Sequence, residues 1–561
     1  MTALIVWIAA AAVVLLAERR PRAVLFTLAA FTFLMALFLL PFGDVNRAAL
    51  FALVLALAIG GASAVKHHHS GMKLAFADIA LATAGTIPFM IRQYRRTAVM
   101  TFAGAALLIL AALFGAIFLA GERIDWTRRA LVLATAFGAM IATYYAAGGA
   151  RRFRADLHAG ARFFSFFIAS IIDVPSWWPT TGLRMLDVGA APLPLAAPRP
   201  ARGDIRPDII VVQHESVFDP RLFGLPVDEK IAAFLEPEGG RSGRLHVDIY
   251  GGGSWQTEFS LLTGLSSASF GPDSYFLFKK GVGRFRHALP IELAQLGYST
   301  MLATSCRRDF LNYDAFYAGI GVEERHFSDT YPPPFDLVGF EATNSDTDFF
   351  AATREALFRA LDDDPAPRFL MALTNFNHGP HETEIIPPHL RKQARDFALA
   401  ALPDRTYAEY YARLDETAES WAAFKAALAE RHPGRPMLFV RYGDHQPTMT
   451  RAIEKALAIP SDDPRQFETF FALEAVGFTP DFAHVPDRLD IAQLGTAALA
   501  ATPLPLDAVS ATRLALLPRI GPAYLASMLP EKRAFHRTLV DRRAILLERE
   551  APALHGAPER A

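Results

Sequence analysis

Cysteine is nearly missing from this chain of 561 residues. Cys306 is the only one, so no intrachain disulfide can form. That leaves the compartment open, because an oxidising space permits disulfides without requiring them. Net charge is missing as well: 56 lysines and arginines stand against 57 aspartates and glutamates, a formal charge of −1. No large basic field exists to hold nucleic acid. The first apolar run lacks the basic segment that opens a signal peptide, and further apolar runs follow at once, so it reads as a membrane helix. Hydrophobic residues are what the chain has in excess, 52% of it, concentrated before about residue 175. A chain of this length holds more than one domain.

Five apolar stretches approach the ~20 residues that a bilayer crossing needs: Ala3–Leu16, Ala23–Phe42, Ala48–Ala64, Ala98–Ala120 and Ala130–Ala147. Residues 1–150 are therefore expected to form a transmembrane domain of about five helices. Lys66–Arg96 reads as a headgroup-level loop, and the triplet His67, His68 and His69 as solvated rather than metal-binding. Residues 151–206 hold an expected amphipathic interfacial helix, Phe163–Ile172, ending near Trp177 and Trp178, then a Pro/Ala-rich linker over Ala191–Arg206. Arg19 to Arg22, Lys66 to Arg96 and Arg151 to Arg154 fall on one side if there are five spans. The positive-inside rule alone puts that side in the cytoplasm, and the C-terminal half with it; a further crossing by Phe163–Ile172 or by the Phe76–Ile91 region would reverse the parity.

After residue 206 short apolar runs alternate with helical stretches, which predicts an α/β domain with a central, largely parallel sheet over 207–545. Expected strands are Asp208–Gln213, Arg244–Ile249, Tyr298–Ala303, Arg368–Thr374, Met437–Tyr442 and Phe471–Gly477. Expected helices are Glu258–Thr263, Leu289–Leu296, Thr347–Leu361, Tyr407–Leu428 and Ile491–Ala501. The tail 546–561 reads as disordered.

Ligands of parallel sheets bind beyond the carboxyl ends of the strands, and polar residues gather there in this sequence. The first strand runs into His214-Glu215-Ser216, the second into Gly251-Gly252-Gly253-Ser254, the fourth into Asn375, Asn377, His378 and His381, and the fifth into Gly443-Asp444-His445. A capping Asp or a buried His explains any one of these alone; four sets at four strand ends are harder to dismiss. The glycines permit a sharp turn that presents Ser254 at a helix start, where unpaired N–H groups suit a phosphate. A carboxylate, an Asp-His pair and a hydroxyl offer mixed oxygen and nitrogen ligation for one divalent cation. Phosphoryl transfer fits: the cation lowers the pKa of the hydroxyl and offsets phosphate charge. His378, with His381, would hold phosphate oxygens or move the leaving-group proton.

Taken together, H-E-S, G-G-G-S-W-Q-T-E-F, N-H-G-P-H and Y-G-D-H resemble the alkaline phosphatase/sulfatase superfamily, nearest to its membrane-bound lipoteichoic acid synthase and phosphoglycerol transferase branch. The resemblance implies an extracytoplasmic catalytic domain on a bacterial plasma-membrane anchor, against the charge count. It places Glu215, Ser254, Asp444 and His445 on the metal positions, with Ser254 also the nucleophile, and His378 on the phosphate-contacting histidine. His381, Asn377, Tyr313 and Arg307 are the further expected substrate contacts. One Mn²⁺ is implied, with Mg²⁺ or Zn²⁺ as alternatives; the implied partners are a membrane phospholipid donor and a glycan or lipid acceptor. Two departures stand out. The family usually has Thr where Ser254 stands, which keeps the hydroxyl. Lipoteichoic acid synthases carry a Trp and an Arg in the headgroup pocket, where this chain has Leu311 and Tyr313.

The expected activity is phosphoglycerol transfer through a covalent Ser254 intermediate. The alternatives are phosphoethanolamine transfer, whose lipid A-modifying enzymes are usually disulfide-rich, and hydrolysis of a phosphodiester. Ser254-Trp255-Gln256-Thr257 does not supply the C/S-x-P-x-R-type motif that a sulfatase needs, and neither does the sequence around Cys306. A membrane sensor with a degenerate domain would have lost a metal ligand, and all four are present.

Overall fold

The computed structural model describes residues 2–18, 24–76, 78, 91, 95–119, 121–149, 161–173, 182–308, 310–331, 345–460 and 463–547. Among these, six apolar helices precede the soluble half, the first five being α1 (Thr2–Ala17), α2 (Val24–Phe42), α3 (Val45–Ser70), α4 (Arg95–Phe118) and α5 (Trp126–Ala146). Four of them, α2 to α5, are 19 to 26 residues long and apolar enough to cross a membrane. The 16 residues of α1 span about 24 Å, short of the ~30 Å hydrocarbon layer.

Two expectations for this half are corrected. The His triplet does not lie in a loop: α3 continues through Ser70, and its C-cap Gly71 adopts φ 66° and donates its N–H to the carbonyl of His67. The helix α6 (Phe163–Ile172) has the expected bounds but does not lie free at the interface. Its Phe164, Phe167 and Ile168 are buried with residues of α1, α2 and α3 in one apolar cluster. Glu18 accepts N–H bonds from Phe164 and Ser165, supplying the first turn of α6 with the acceptor its orphan donors require. The arginines 151–154 and Trp177 and Trp178 lie outside the described residues.

The soluble half is built on an eight-stranded sheet in the order β4-β3-β5-β1-β6-β7-β2-β8. The strands are β1 (Asp208–His214), β2 (Arg241–His246), β3 (Ser299–Thr304), β4 (Glu324–His326), β5 (Arg368–Leu373), β6 (Met437–Gly443), β7 (Glu468–Val476) and β8 (Arg488–Asp490). Only β7 runs against the rest, pairing antiparallel with both β6 and β2. The carboxyl ends of β1, β2, β3, β5 and β6 therefore open on one edge. β1 lies between β5 and β6 and is buried along its whole length. Its side chains alternate between two cores, Ile209 and Val211 into one and Ile210 and Val212 into the other. A parallel strand covered by helices on both faces reads as such a continuous apolar run.

The expected linker is bound along the catalytic domain. The N–H of Leu193 donates to Thr538 Oγ1, that of Ala196 to Thr512 Oγ1 and that of Arg199 to the carbonyl of Leu506. Nearer the membrane half, Leu183 donates to the carbonyl of Leu547. Residues 548–561 lie outside the described residues.

The two halves meet at the loop after β2. Lys66 Nζ of α3 donates to Asp78 at 2.7 Å and to Tyr275 of the soluble half at 3.0 Å. A Cβ on Gly71 would come within 2.8 Å of the Tyr250 carbonyl, and one on Gly251 within 3.0 Å of the Ser70 carbonyl. The end of a membrane helix thus packs backbone to backbone against the glycines that lead to Ser254.

Candidate active site and metal centre

Gly251, Gly252 and Gly253 have φ of 77°, 156° and 101°, values that residues with a Cβ rarely adopt. The turn they make starts the helix α7 (Ser254–Thr263) at Ser254 itself. At the end of β1, Ser216 sits at φ 57°, strained for a residue with a Cβ. Its position is fixed from both sides: its N–H donates to Asp444 Oδ1 at 2.7 Å and its hydroxyl to Glu215 Oε1 at 2.9 Å. This bent turn holds together the ends of two neighbouring strands, β1 and β6.

Ser254 Oγ donates to Glu215 Oε2 at 3.0 Å and lies 3.4 Å from His445 Nε2. His445 Nε2 is 3.4 Å from Glu215 Oε1 and 3.5 Å from Asp444 Oδ2. Glu215, Asp444 and His445 are all buried, and one ligand atom from each lies within 4.8 Å of the others. His445 Nδ1 faces the carbonyl of Gln446 at 3.0 Å. That contact assigns the proton to Nδ1 and leaves the lone pair on Nε2, the orientation in which a ligating imidazole is held. Asp444 Oδ2 is buried with no hydrogen-bond partner. A carboxylate oxygen in that state costs free energy unless a cation meets it. Burial, with the Glu215 charge added, pushes the Asp444 carboxyl up to about 7. Two close carboxylates, one orphaned oxygen and an aimed imidazole nitrogen fit a divalent cation.

His378 follows β5 on the same edge. Burial pushes it down to about 4, so the ring is neutral at pH 7. Its Nδ1 lies 2.7 Å from the Gly379 carbonyl and so holds the ring proton. Arg307 follows β3, is half exposed, and stands 3.9 Å from Asp329.

Three expected substrate contacts face elsewhere. Asn377 is fully buried and donates its amide to Thr417 Oγ1 at 2.7 Å, tying the loop to the helix Arg405–Arg431. His381 turns back to place Nε2 at 2.9 Å from the Asn377 carbonyl and packs edge-on against Tyr410. Tyr313 is buried beneath α7 and donates to Glu258 at 2.6 Å. Leu311 packs on the core of that same face. The motif spacing carried these residues to loops beside the Ser254 cluster, but the side chains are spent on holding those loops.

Glu258, one turn after Ser254, was missed as a site element. It receives Tyr313, Tyr317 and Gln213, and Gln213 in turn accepts from Tyr442 at 2.5 Å. Burial pushes Glu258 up to about 7 from its ordinary 4.5. The folded state therefore holds a proton that the unfolded chain releases above 4.5. Its contribution to stability is full below pH 4.5 and is lost as pH rises to about 7. Glu258→Gln is expected to flatten that decline, narrowing the difference in thermal midpoint between pH 5 and pH 8 for the detergent-solubilised protein. An unchanged difference would assign the decline to other groups.

Residues 207–468 match the family model described as Sulfatase. An uncharacterized protein of Haemophilus influenzae is 25% identical over 266 residues, 45% of this chain and 46% of that one. The chain thus spans about half the length of that curated relative. The lipooligosaccharide phosphoethanolamine transferase A (EptA) of Neisseria meningitidis, an integral membrane protein, shares the fold over 88% of this chain and 91% of its own. Its TM-score is 0.53 at 13% identity. The phosphoglycerol transferase GacH of Streptococcus pyogenes aligns over 62% of this chain and 89% of its own, with a TM-score of 0.48 and 16% identity.

Proposed function

We propose, on the premise that residues 207–468 belong to the sulfatase-type family of the alkaline phosphatase superfamily, that this chain transfers a phosphoglycerol group. The donor is a membrane phospholipid and the acceptor a periplasmic or cell-surface glycan. The observation that carries the reading is the packing of α3 against Gly251 and Gly252, which ties a serine nucleophile to a membrane helix. The catalytic domain faces outward in this reading. Two basic residues of the positive-inside count support it, being engaged within the protein rather than free: Lys66 with Asp78, and Lys73 with the Ala161 carbonyl.

Glu215, Asp444, His445 and the Ser254 hydroxyl would hold one divalent cation, Mn²⁺ by likeness, which supplies positive charge to the phosphate and acidifies the hydroxyl. Ser254 Oγ attacks the donor phosphorus, the bond from phosphorus to the diacylglycerol oxygen breaks, and diacylglycerol leaves as the alcohol, its oxygen taking up the proton that the Ser254 hydroxyl gives up. The hydroxyl proton already points at Glu215 Oε2, the nearest acceptor. The intermediate is a phosphodiester of Ser254 and glycerol. The N-terminus of α7 sets unpaired N–H groups beside the phosphate charge. In the second half the acceptor hydroxyl attacks the same phosphorus, the bond from phosphorus to Ser254 Oγ breaks, and Oγ takes up the acceptor's proton to restore the hydroxyl. Neutral His378, its Nδ1 proton held by Gly379, offers Nε2 as the base that takes the acceptor's proton.

A second reading, phosphoethanolamine transfer, is favoured by the fold shared with EptA across both halves; the single cysteine of this chain weighs against it. Diacylglycerol release by the full-length protein with Mn²⁺ separates the two. We expect phosphatidylglycerol to be cleaved at least tenfold faster than phosphatidylethanolamine. The reverse order would promote the second reading. Release from neither lipid would remove the phospholipid donor.

A further inference from the structure

A cavity of about 740 Å³ lies where the membrane half meets the catalytic domain, within the ~300–1,000 Å³ range of small-molecule sites. Its two ends differ in character. One is lined by Val14 of α1 and by Ala56, Gly60 and Gly61 of α3; the other by Glu382 and Arg451. Glu382 lies four residues beyond His378, and Arg451 seven beyond Asp444, so the polar end is made by the loops that build the catalytic site. Between them Thr448, also on the wall, lies so close to Gly251 that a Cβ there would come within 2.6 Å of its methyl group. The Arg451 guanidinium stands over the Tyr250 ring, 5.1 Å from its centre, beside the first of the three glycines.

The geometry points to this cavity as the docking site of the donor phospholipid, with an acyl chain along α1 and α3 and the headgroup led past Arg451 toward Ser254. The proposal deepens the donor reading above and rests on it for the direction of transfer. Three observations converge. A Cβ on Gly60 or Gly61 would meet nothing within 4 Å, so both glycines leave open wall inside the apolar end. The other acidic group of the wall, Glu18, has its carboxylate turned to the N–H groups of the first turn of α6, whose partial positive charge offsets its own. The polar end holds a cation for the phosphate and, at its exposed rim, a carboxylate that accepts from glycerol hydroxyls. A lipid lying there would run from α3 directly to the loop that carries Ser254. The occupant is phosphatidylglycerol.

Lipid retention by the full-length Ser254→Ala protein, read by native mass spectrometry with dioleoyl phosphatidylglycerol, tests this without turnover. Gly60→Leu and Gly61→Leu, each added separately, fill the open wall and are expected to lower retention at least tenfold. Gly104→Leu on α4, where a Cβ also meets open space, is expected to leave it unchanged. Unaltered elution and Mn²⁺ content identify the groove variants that are folded. Equal retention in a folded groove variant, an equal loss in Gly104→Leu, or a preference for dioleoyl phosphatidylethanolamine would each overturn the proposal. The two readings fail separately. Groove-dependent binding without diacylglycerol release in the Ser254 protein removes the donor reading alone, while full release with the groove filled removes the groove alone.

Discussion

Ser254→Ala is expected to lower transfer from phosphatidylglycerol by at least about 10³-fold while leaving Mn²⁺ bound. Removing the nucleophile of a covalent mechanism deletes the route itself; in the best-measured serine hydrolases the loss reaches ~10⁶. Here Ser254 Oγ has two neighbours at the site, Glu215 at 3.0 Å and His445 at 3.4 Å. An alanine takes away the atom between them and leaves in place three of the four residues proposed to hold the cation. The helix start survives, because Gly253 rather than the Ser254 side chain caps it. A variant that keeps a tenth of the activity would mean that another group attacks the phosphorus. Ser254→Thr, which restores the residue usual in the family, is the matching control and is expected to keep the adduct.

Asp444→Asn is expected to remove most of the metal-dependent stabilisation and to abolish activity. The residue anchors the site twice: Oδ1 accepts the N–H groups of Ser216 and His445, at 2.7 and 2.8 Å, and Oδ2 is left for the cation. Asparagine retains an oxygen for the two N–H bonds but withdraws the second charge. Losing even a group that merely orients a ligand typically weakens metal binding 10- to 100-fold, and a ligand itself should cost at least as much. At a metal concentration of 100 Kd the wild-type protein gains about 2.7 kcal/mol. A variant diluted to its own Kd by such a loss would gain only about 0.4 kcal/mol. Thermal midpoints with and without Mn²⁺ read the difference. Without metal, the variant should melt no lower than the wild type at pH 8, since it removes a carboxylate crowded by Glu215. An undiminished metal shift would place the cation elsewhere.

The parts of this architecture that were legible in the sequence are those with one dominant cause. β1, β5 and β6 are apolar on both faces and sit in the middle of the sheet, so composition alone marks them. β4 and β8 hold three residues each, too few for any pattern, and their pairing is fixed by neighbours far away in the chain. β2 lies three residues earlier than expected because its first residues, Arg241, Ser242 and Gly243, are held by β7, while Val247 to Tyr250 leave the sheet toward Ser254. The motif residues reached the correct strand ends, yet a motif does not say which way a side chain turns. Glu215, Asp444 and His445 converge; Asn377, His381 and Tyr313 lie behind the same loops, where Thr417, Tyr410 and Glu258 hold them. The docking of α3 on the glycine turn was not legible either. It depends on small residues at both surfaces, Gly71 and Gly251, that meet only in three dimensions.

The central claim is a covalent phosphodiester on Ser254, and intact mass reads it directly. The full-length protein is incubated with phosphatidylglycerol and Mn²⁺, quenched in acid and weighed beside Ser254→Ala. The account predicts a gain of one phosphoglycerol group that requires the metal, maps to the peptide bearing Ser254 and is absent from the variant. A protein that releases diacylglycerol from this lipid yet never carries the adduct, even with acceptor withheld, would contradict it, because transfer would then pass directly from donor to acceptor or water.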